Sequence, residues 1–148
     1  MSKINLIIII IFSSLLSACS FHTPTKITTL NAVITGKVNS VFATKLKTYF
    51  DVEAAQSFTI QIGNEVQNKR TVTYLDGIAN SYTLTLGIPV KIFRNKKLLL
   101  SKTLIANATI EKLPTTQTNR LQIDISYMQL RKTIMTKLLR RLRYLNEN

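Results

Sequence analysis

Residues of the types that commonly carry catalysis are scarce in this sequence. Its 148 residues include one His, one Cys and seven acidic residues. His22 lies three positions after Cys19, on a short predicted tether that gives a general base no fixed geometry. Only Asp51 and Glu53 are neighbouring acids, and a solvated turn explains them simply. Because no Gly-rich phosphate loop or metalloprotease motif occurs either, we predict no enzyme, no metal site and no cofactor.

Positive side chains are the abundant chemical groups. Lys and Arg number 20 against 7 acids, which gives a formal charge of +13. One basic group spans a predicted hairpin, with no acid between Asp76 and Glu111: Lys91, Arg94, Lys96, Lys97 and Lys102. Lysine binds phosphates and carboxylates as a point charge, and arginine can bind them bidentately. A solvated hairpin protected from edge pairing by lysines would carry the same residues, so both interpretations stay open here.

The final predicted helix carries a second basic group. Its members are Arg131, Lys132, Lys137, Arg140, Arg141 and Arg143. An exposed helix face must be polar, and cations near a helix C-terminus complement its dipole. An ordinary solvated face is therefore the simpler interpretation of this second group.

The N-terminus carries the marks of export. A positive charge at Lys3 precedes an apolar run, Leu6–Phe12, which is shorter than the roughly 20 residues that span a bilayer. Leu16–Cys19 resembles the bacterial lipobox, in which the thiol of the cysteine receives diacylglycerol before cleavage. We expect residues 1–18 to be a signal peptide, Cys19 to be lipidated and residues 19–26 to form a tether. Ser20 instead of Asp favours the outer membrane by resemblance to the usual sorting rule.

Export and cleavage before Cys19 would change which anionic partners the positive charge can meet. Of the 148 residues, 130 would remain, and loss of Lys3 lowers the charge only from +13 to +12. An exported lipoprotein does not meet chromosomal DNA, so we predict no nucleic-acid partner. Acidic lipid or lipopolysaccharide becomes the leading anionic partner.

Hydrophobic periodicity predicts a single α+β domain over residues 27–148. A first strand ends at Gly36, and a helix capped by Asn39-Ser40 runs to Phe50. A second strand covers Phe58–Ile62, and clean alternation from Tyr82 to Ile92 gives the strongest strand. A turn at Asn95–Lys97 leads to a return strand, on which Leu98, Leu100, Lys102, Leu104 and Ala106 are expected to share one face.

Two features complete the predicted fold. Asn68–Arg70 looks polar and mobile, and Pro89 predicts a bulge or a strand edge. A long last helix is capped by Thr118 or Asn119. Its apolar stripe consists of Leu130, Ile134, Met135, Leu138, Leu139, Leu142 and Leu145. The prediction is two helices packed on a small, about four-stranded sheet in the order β-α-β-β-β-α.

These features together resemble the LptE family of lipopolysaccharide-assembly lipoproteins. The resemblance is carried by the lipobox, by Phe21-His22 after the cysteine, by the turn at Tyr74–Gly77 and by Leu138–Leu142 near the chain end. It extends over the whole mature chain. The Leu-Arg pair that commonly follows in the family is replaced here by Thr23-Pro24.

The resemblance implies a function and two partners. Members of the family plug the lumen of the LptD outer-membrane barrel, assemble with it and bind lipopolysaccharide on its way to the cell surface. The ligand-contacting lysine of the last strand corresponds to Lys102. A second basic residue would fall near Leu75, where this chain has none, and Lys69 or Arg70 could substitute for it. The alternative is a free, periplasm-facing lipoprotein that binds peptidoglycan or an acidic protein.

Overall fold

The computed structural model of the chain describes residues 30–76 and 78–147. The predicted signal peptide (1–18), the predicted lipidation site Cys19 and the predicted tether (19–26) lie outside the described residues. Seven elements follow one another: β1 (Asn31–Gly36), α1 (Val41–Lys47), β2 (Gln56–Ile62), β3 (Val66–Leu75), β4 (Ile78–Arg94), β5 (Lys97–Glu111) and α2 (Thr116–Glu147). The architecture is α+β, as predicted, with two helices and a five-stranded mixed sheet.

Strand β4 is the centre of the sheet. Its even-numbered residues from Tyr82 to Ile92 are all buried, in agreement with the alternation in the sequence. Strand β5 pairs antiparallel along one edge of β4 over nearly its whole length. Strands β3 and β2 share the other edge, one after the other, and β1 adds parallel to β2. Helix α1 makes the crossover that this parallel pair requires.

Pro89 lies where the partner of β4 changes from β3 to β2. The β3 pairing begins at Val66 opposite Gly87, and the β2 pairing ends at Ile62 opposite Val90. Between them the Gly63 amide donates to the Pro89 carbonyl at 2.9 Å. The ring nitrogen has no hydrogen to donate, and it faces the break between two strands, where no ladder bond is lost. The central strand therefore tolerates proline in its interior.

Both helices cover the same face of the sheet. Helix α2 packs over β4 and β5 and touches α1 alongside. Ser40 caps α1 by accepting from the Ala43 amide, and Phe42 and Leu46 enter the core. On α2 the predicted stripe is buried except for Leu145, which is partly buried, and Ile134, Leu138 and Leu142 are fully covered. Burial of such side chains contributes about 1.5–3 kcal/mol each.

Four sequence predictions need correction. Asn68–Arg70, predicted to be a polar and mobile segment, lies inside strand β3, so the sheet has five strands and the order is β-α-β-β-β-β-α. Helix α1 ends at Lys47 rather than Phe50, and α2 begins at Thr116. A register shift between Ile92 and Phe93 places Leu98 opposite Phe93, so Leu98 does not share the face of Leu100 and Lys102.

Candidate functional site

The tip of the β4–β5 hairpin presents lysines through an unusual turn. Asn95 and Lys96 both have left-handed backbone angles, with φ of 50° and 66°. Two consecutive positive φ values between paired Arg94 and Lys97 are typical of a two-residue type I′ turn, which favours Asn-Gly. Lys96 occupies the position where glycine fits best, and both Lys96 and Lys97 are exposed. The tip thus holds two cations in a fixed turn.

Arg94 is engaged inside the protein. Its guanidinium donates to the Leu145 carbonyl in the last turns of α2 and lies over the Phe58 ring, 4.7 Å from the centroid. These contacts attach the end of α2 to the end of β4. Arg94, a predicted ligand residue, therefore has a structural partner on each side, and it brings the hairpin and the C-terminal end of α2 together.

Lys102 lies on the helix-covered face at the free edge of the sheet. It is exposed and stands opposite the buried Val90. From α2, the Lys137 Nζ donates to the Ile105 carbonyl on the same strand at 2.8 Å. This bond fixes the β5 side of α2, and Arg141 follows Lys137 by four residues, one turn nearer the hairpin. Lys102, Lys137 and Arg141 therefore share the α2–β5 side of the molecule.

The cations on this side of the molecule, which we call the basic strip, are Lys96, Lys97, Lys102, Lys137 and Arg141. No acidic residue occurs in β5 between positions 98 and 110 or in α2 between positions 125 and 146. The positive potential of the strip is therefore not reduced by an acid within these two stretches, and Glu147 follows at the end of α2. The sequence predicts a solvated face for the cations of α2, because it does not reveal which of them point toward β5. The contact between Lys137 and the Ile105 carbonyl supplies that information.

The other predicted ligand residues lie elsewhere. Lys91 is on the opposite face of the sheet, beside Ser101. Lys69 and Arg70 stand opposite Leu84 and Thr83, at least ten residues along β4 from Arg94, or about 33 Å. The structure therefore brings Lys96, Lys97 and Lys102 toward one region and leaves Lys69 and Arg70 at the far end of the sheet.

A cleft of about 530 Å³ opens at the ends of the parallel strands, between Lys37, Asn64 and Arg131. At its edge the Arg131 guanidinium holds Glu65 in a two-pronged ion pair, with both distances 2.8 Å. Hydrogen bonding to Glu65 raises the pKa of Arg131, while partial burial acts in the opposite direction. The pair satisfies both charges, so neither Glu65 nor Arg131 is a free acid or base in the cleft. Within residues 30–76 and 78–147, no group of three metal-binding side chains occurs.

The face of the sheet opposite the helices is open and largely polar. Its cross-strand neighbours include Thr83 beside Thr109 and Thr85 beside Asn107, and the two threonine hydroxyls lie 3.4 Å apart. Isolated apolar side chains such as Ile105 are half exposed among them. Such a face suits contact with a polar surface and not with lipid.

No described helix is both long enough and apolar enough to span a membrane.

The fold matches solved lipoprotein structures. The rare lipoprotein B of Shewanella oneidensis superposes with a TM-score of 0.68 at 12% identity, over 80% of this chain and 96% of that one. Lipoprotein B of Nitrosomonas europaea gives a TM-score of 0.63 at 13% identity over 78% and 83% of the two chains. A minor lipoprotein of Acinetobacter baumannii gives 0.53 at 13% identity over 80% and 92%.

Comparisons of sequence alone add nothing to this match. No protein-family profile and no curated protein matches the chain. The structural match confirms the resemblance to the LptE family of lipoproteins at the level of the fold.

Proposed function

We propose that this protein is an LptE-like lipoprotein of the outer membrane, anchored at Cys19 on the periplasmic side, which plugs an LptD-like barrel and binds lipopolysaccharide. The observation that carries the ligand part is the basic strip. Its five cations come from the β4–β5 hairpin and from α2, which carry no acid between positions 98 and 110 or between positions 125 and 146. Lipopolysaccharide is a polyanionic lipid, and a one-sign surface attracts such a ligand at long range.

Two further features support the barrel part of the proposal. The fold is shared with bacterial lipoproteins, among them a rare lipoprotein B. The open face of the sheet, with Thr83, Thr85, Asn107 and Thr109, is polar, as the interior wall of a small barrel is. A plug also needs no catalytic site, and the engaged Glu65–Arg131 pair offers none.

Charge reversal within the basic strip tests ligand binding. Lipopolysaccharide affinity is measured on the full chain in detergent for the double variant Lys97→Glu, Lys102→Glu. Because each contact between a cation and a phosphate is worth about 1.5 kcal/mol or more, we expect a loss of affinity of at least about ten-fold. The matched control is Lys45→Glu, Lys47→Glu on exposed positions of α1, which changes the net charge equally. Equal losses in both variants would assign the binding to net charge and remove the strip from the site.

Co-purification tests the barrel partner. A tag at the C-terminus should retain a stoichiometric outer-membrane barrel from mildly solubilised membranes. Thr85→Tyr, in the middle of the open face, should reduce that recovery, while Thr44→Tyr on the exposed side of α1 should not. Recovery of the wild-type chain without any barrel would instead support a free lipoprotein.

A further inference from the structure

The N-terminal half of α2 carries an apolar stripe that the described residues leave uncovered. Leu121, Ile125 and Met128 are 60%, 42% and 52% exposed. Their spacing of four and three residues places them on one flank of the helix, apart from the core-facing stripe through Tyr127 and Leu130.

The same flank is buried further along the helix. Met135 and Leu139 continue the direction of the stripe, and they are only 4% and 2% exposed. Helix α1 lies against α2, and it spans only Val41–Lys47. Beyond the end of α1 no second helix continues beside α2 in the described part of the chain, so the stripe faces open space.

Strand β3 lies beneath that space. Gln67 and Lys69 stand opposite Leu86 and Leu84, so they project on the helix-covered face. The ammonium group of Lys69 lies over the Tyr82 ring, 4.9 Å from its centroid. The Tyr127 hydroxyl donates to the Asn68 carbonyl at 3.0 Å and ties α2 to the strand. We call the space between the stripe and β3 the α2–β3 groove.

The charges around the groove are mainly positive. Lys69 lies on its floor, and Lys132 follows Met128 by one turn and is exposed. Asp124 is the acid on this flank, and its charge adds to the effect of the Glu65 hydrogen bond in raising the pKa of Arg131. A complementary occupant is therefore apolar along the helix and anionic at one end.

The size of the stripe favours a lipid over a protein as the occupant of the groove. A stable protein partner buries roughly 800 Å² on each side, and three side chains cannot supply that area. The stripe spans eight residues of helix, from Leu121 to Met128, or about 10 Å, and is one side chain wide. A single acyl chain needs only such a narrow strip.

We propose that the α2–β3 groove binds one acyl chain of lipopolysaccharide, with Lys69 and Lys132 facing the anionic headgroup. This assignment rests on the proposed function for the identity of the lipid. It adds a second contact surface, on the side of α2 opposite the basic strip.

The absence of tryptophan from the chain makes a direct test possible. Met128→Trp places the only indole in the groove, and Val52→Trp places it in a loop position that is 82% exposed. Each full chain, in dodecyl maltoside, is titrated with phosphatidylglycerol whose acyl chains carry bromine, a contact quencher. We expect saturable quenching in the Met128→Trp chain and only weak, non-saturable quenching in the Val52→Trp chain. Unlabelled lipopolysaccharide should then restore the fluorescence of the Met128→Trp chain.

The outcomes separate the two proposals. Equal quenching of both reporters would refute the groove. A second outcome is that lipopolysaccharide binds the chain and binds more weakly after charge reversal in the basic strip, but does not change the quenching. That outcome would refute the groove assignment and leave the proposed function standing. Absence of any lipopolysaccharide binding would refute the proposed function and the assigned occupant together.

Two further variants identify the forces in the groove. In the Met128→Trp background, Leu121→Ser should weaken the brominated lipid about ten-fold, while Val41→Ser on exposed α1 should not. Lys69→Gln should weaken brominated phosphatidylglycerol more than brominated phosphatidylcholine, because only the former has a net negative headgroup. Equal effects of Lys69→Gln on the two lipids would show that Lys69 does not contact the anionic headgroup.

Discussion

Substitution of Lys96 in the β4–β5 turn should change the stability of the protein and its ligand affinity in opposite directions. Lys96 has a φ of 66°, in the region where a side chain clashes with its own backbone. That conformation costs about 1–2 kcal/mol for a residue with a Cβ. Lys96→Gly removes the strain but adds about 0.5–1 kcal/mol of unfolded-chain entropy, so we expect a net gain of ~0.7 kcal/mol in the free energy of unfolding.

The same substitution should weaken ligand binding. Lys96 is one of the exposed cations of the basic strip, and glycine carries no charge. The variant is therefore expected to be more stable, with a midpoint higher by about 2–4 °C, and to bind lipopolysaccharide less tightly than the wild type. Thermal unfolding by circular dichroism measures the first effect, and titration with lipopolysaccharide measures the second.

Lys97→Gly is the control, because it makes an identical chemical change one position later. Lys97 is paired with Arg94 at the start of β5. Glycine at this strand position should lower stability by about 0.5–1 kcal/mol while removing the same charge. Stability changes of the same sign in both variants would refute the strain argument, and unchanged affinity in both would remove the hairpin tip from the ligand site.

Three further predictions concern single contacts of the fold. Glu65→Gln should cost about 1–2 kcal/mol of stability, and a double-mutant cycle with Arg131→Gln should show coupling of similar size; additive losses would contradict the ion pair. Burial raises the pKa of Tyr127, so the stability that this group contributes is complete below pH 10 and is lost as the pH rises through the raised value. Tyr127→Phe should thus be about 1 kcal/mol less stable than wild type below pH 10, with the gap closing above it in urea unfolding; a constant gap would contradict this. Gly36→Ala should lower the free energy of unfolding by about 3 kcal/mol, because φ of Gly36 is +81° and a Cβ there would collide with the Ile62 carbonyl. A urea midpoint equal to that of the wild type would refute this prediction.

The sequence predicts the parts of this fold whose stability comes from burying one face. Tyr82 to Ile92 alternate cleanly because one side of β4 faces the core under α2, and the stripe of α2 recurs at helical spacing because it packs on that core. Strand β3 gives no such signal. Asn68, Lys69 and Arg70 are exposed, and ladder bonds to β4 hold them in place. Backbone pairing of this kind leaves no apolar pattern to detect.

The candidate site divides in the same way. The exposed lysines at positions 96, 97 and 102 follow from composition and a turn signal that lie within a few residues of each other. The engagement of Arg94 joins it to Leu145, 51 residues away, and Lys137 meets a strand 32 residues before it. Neither contact has a local pattern, because both depend on how α2 crosses the sheet. The packing of α2 on the sheet therefore determines which cations are available to a ligand.

The division of one β4 edge between two strands has a consequence for the order of assembly. Strands β3, β4 and β5 follow each other through short turns and can pair locally, so loop closure costs them little. The β1–α1–β2 unit joins the rest of the sheet through only four paired positions, Thr59–Ile62, opposite Val90–Phe93. We expect this unit to form last and to open first, with amides of β1 exchanging with solvent ahead of those in β4. The part of the domain next to the predicted lipid anchor would then be its most easily opened unit, while the hairpin and α2 stay folded.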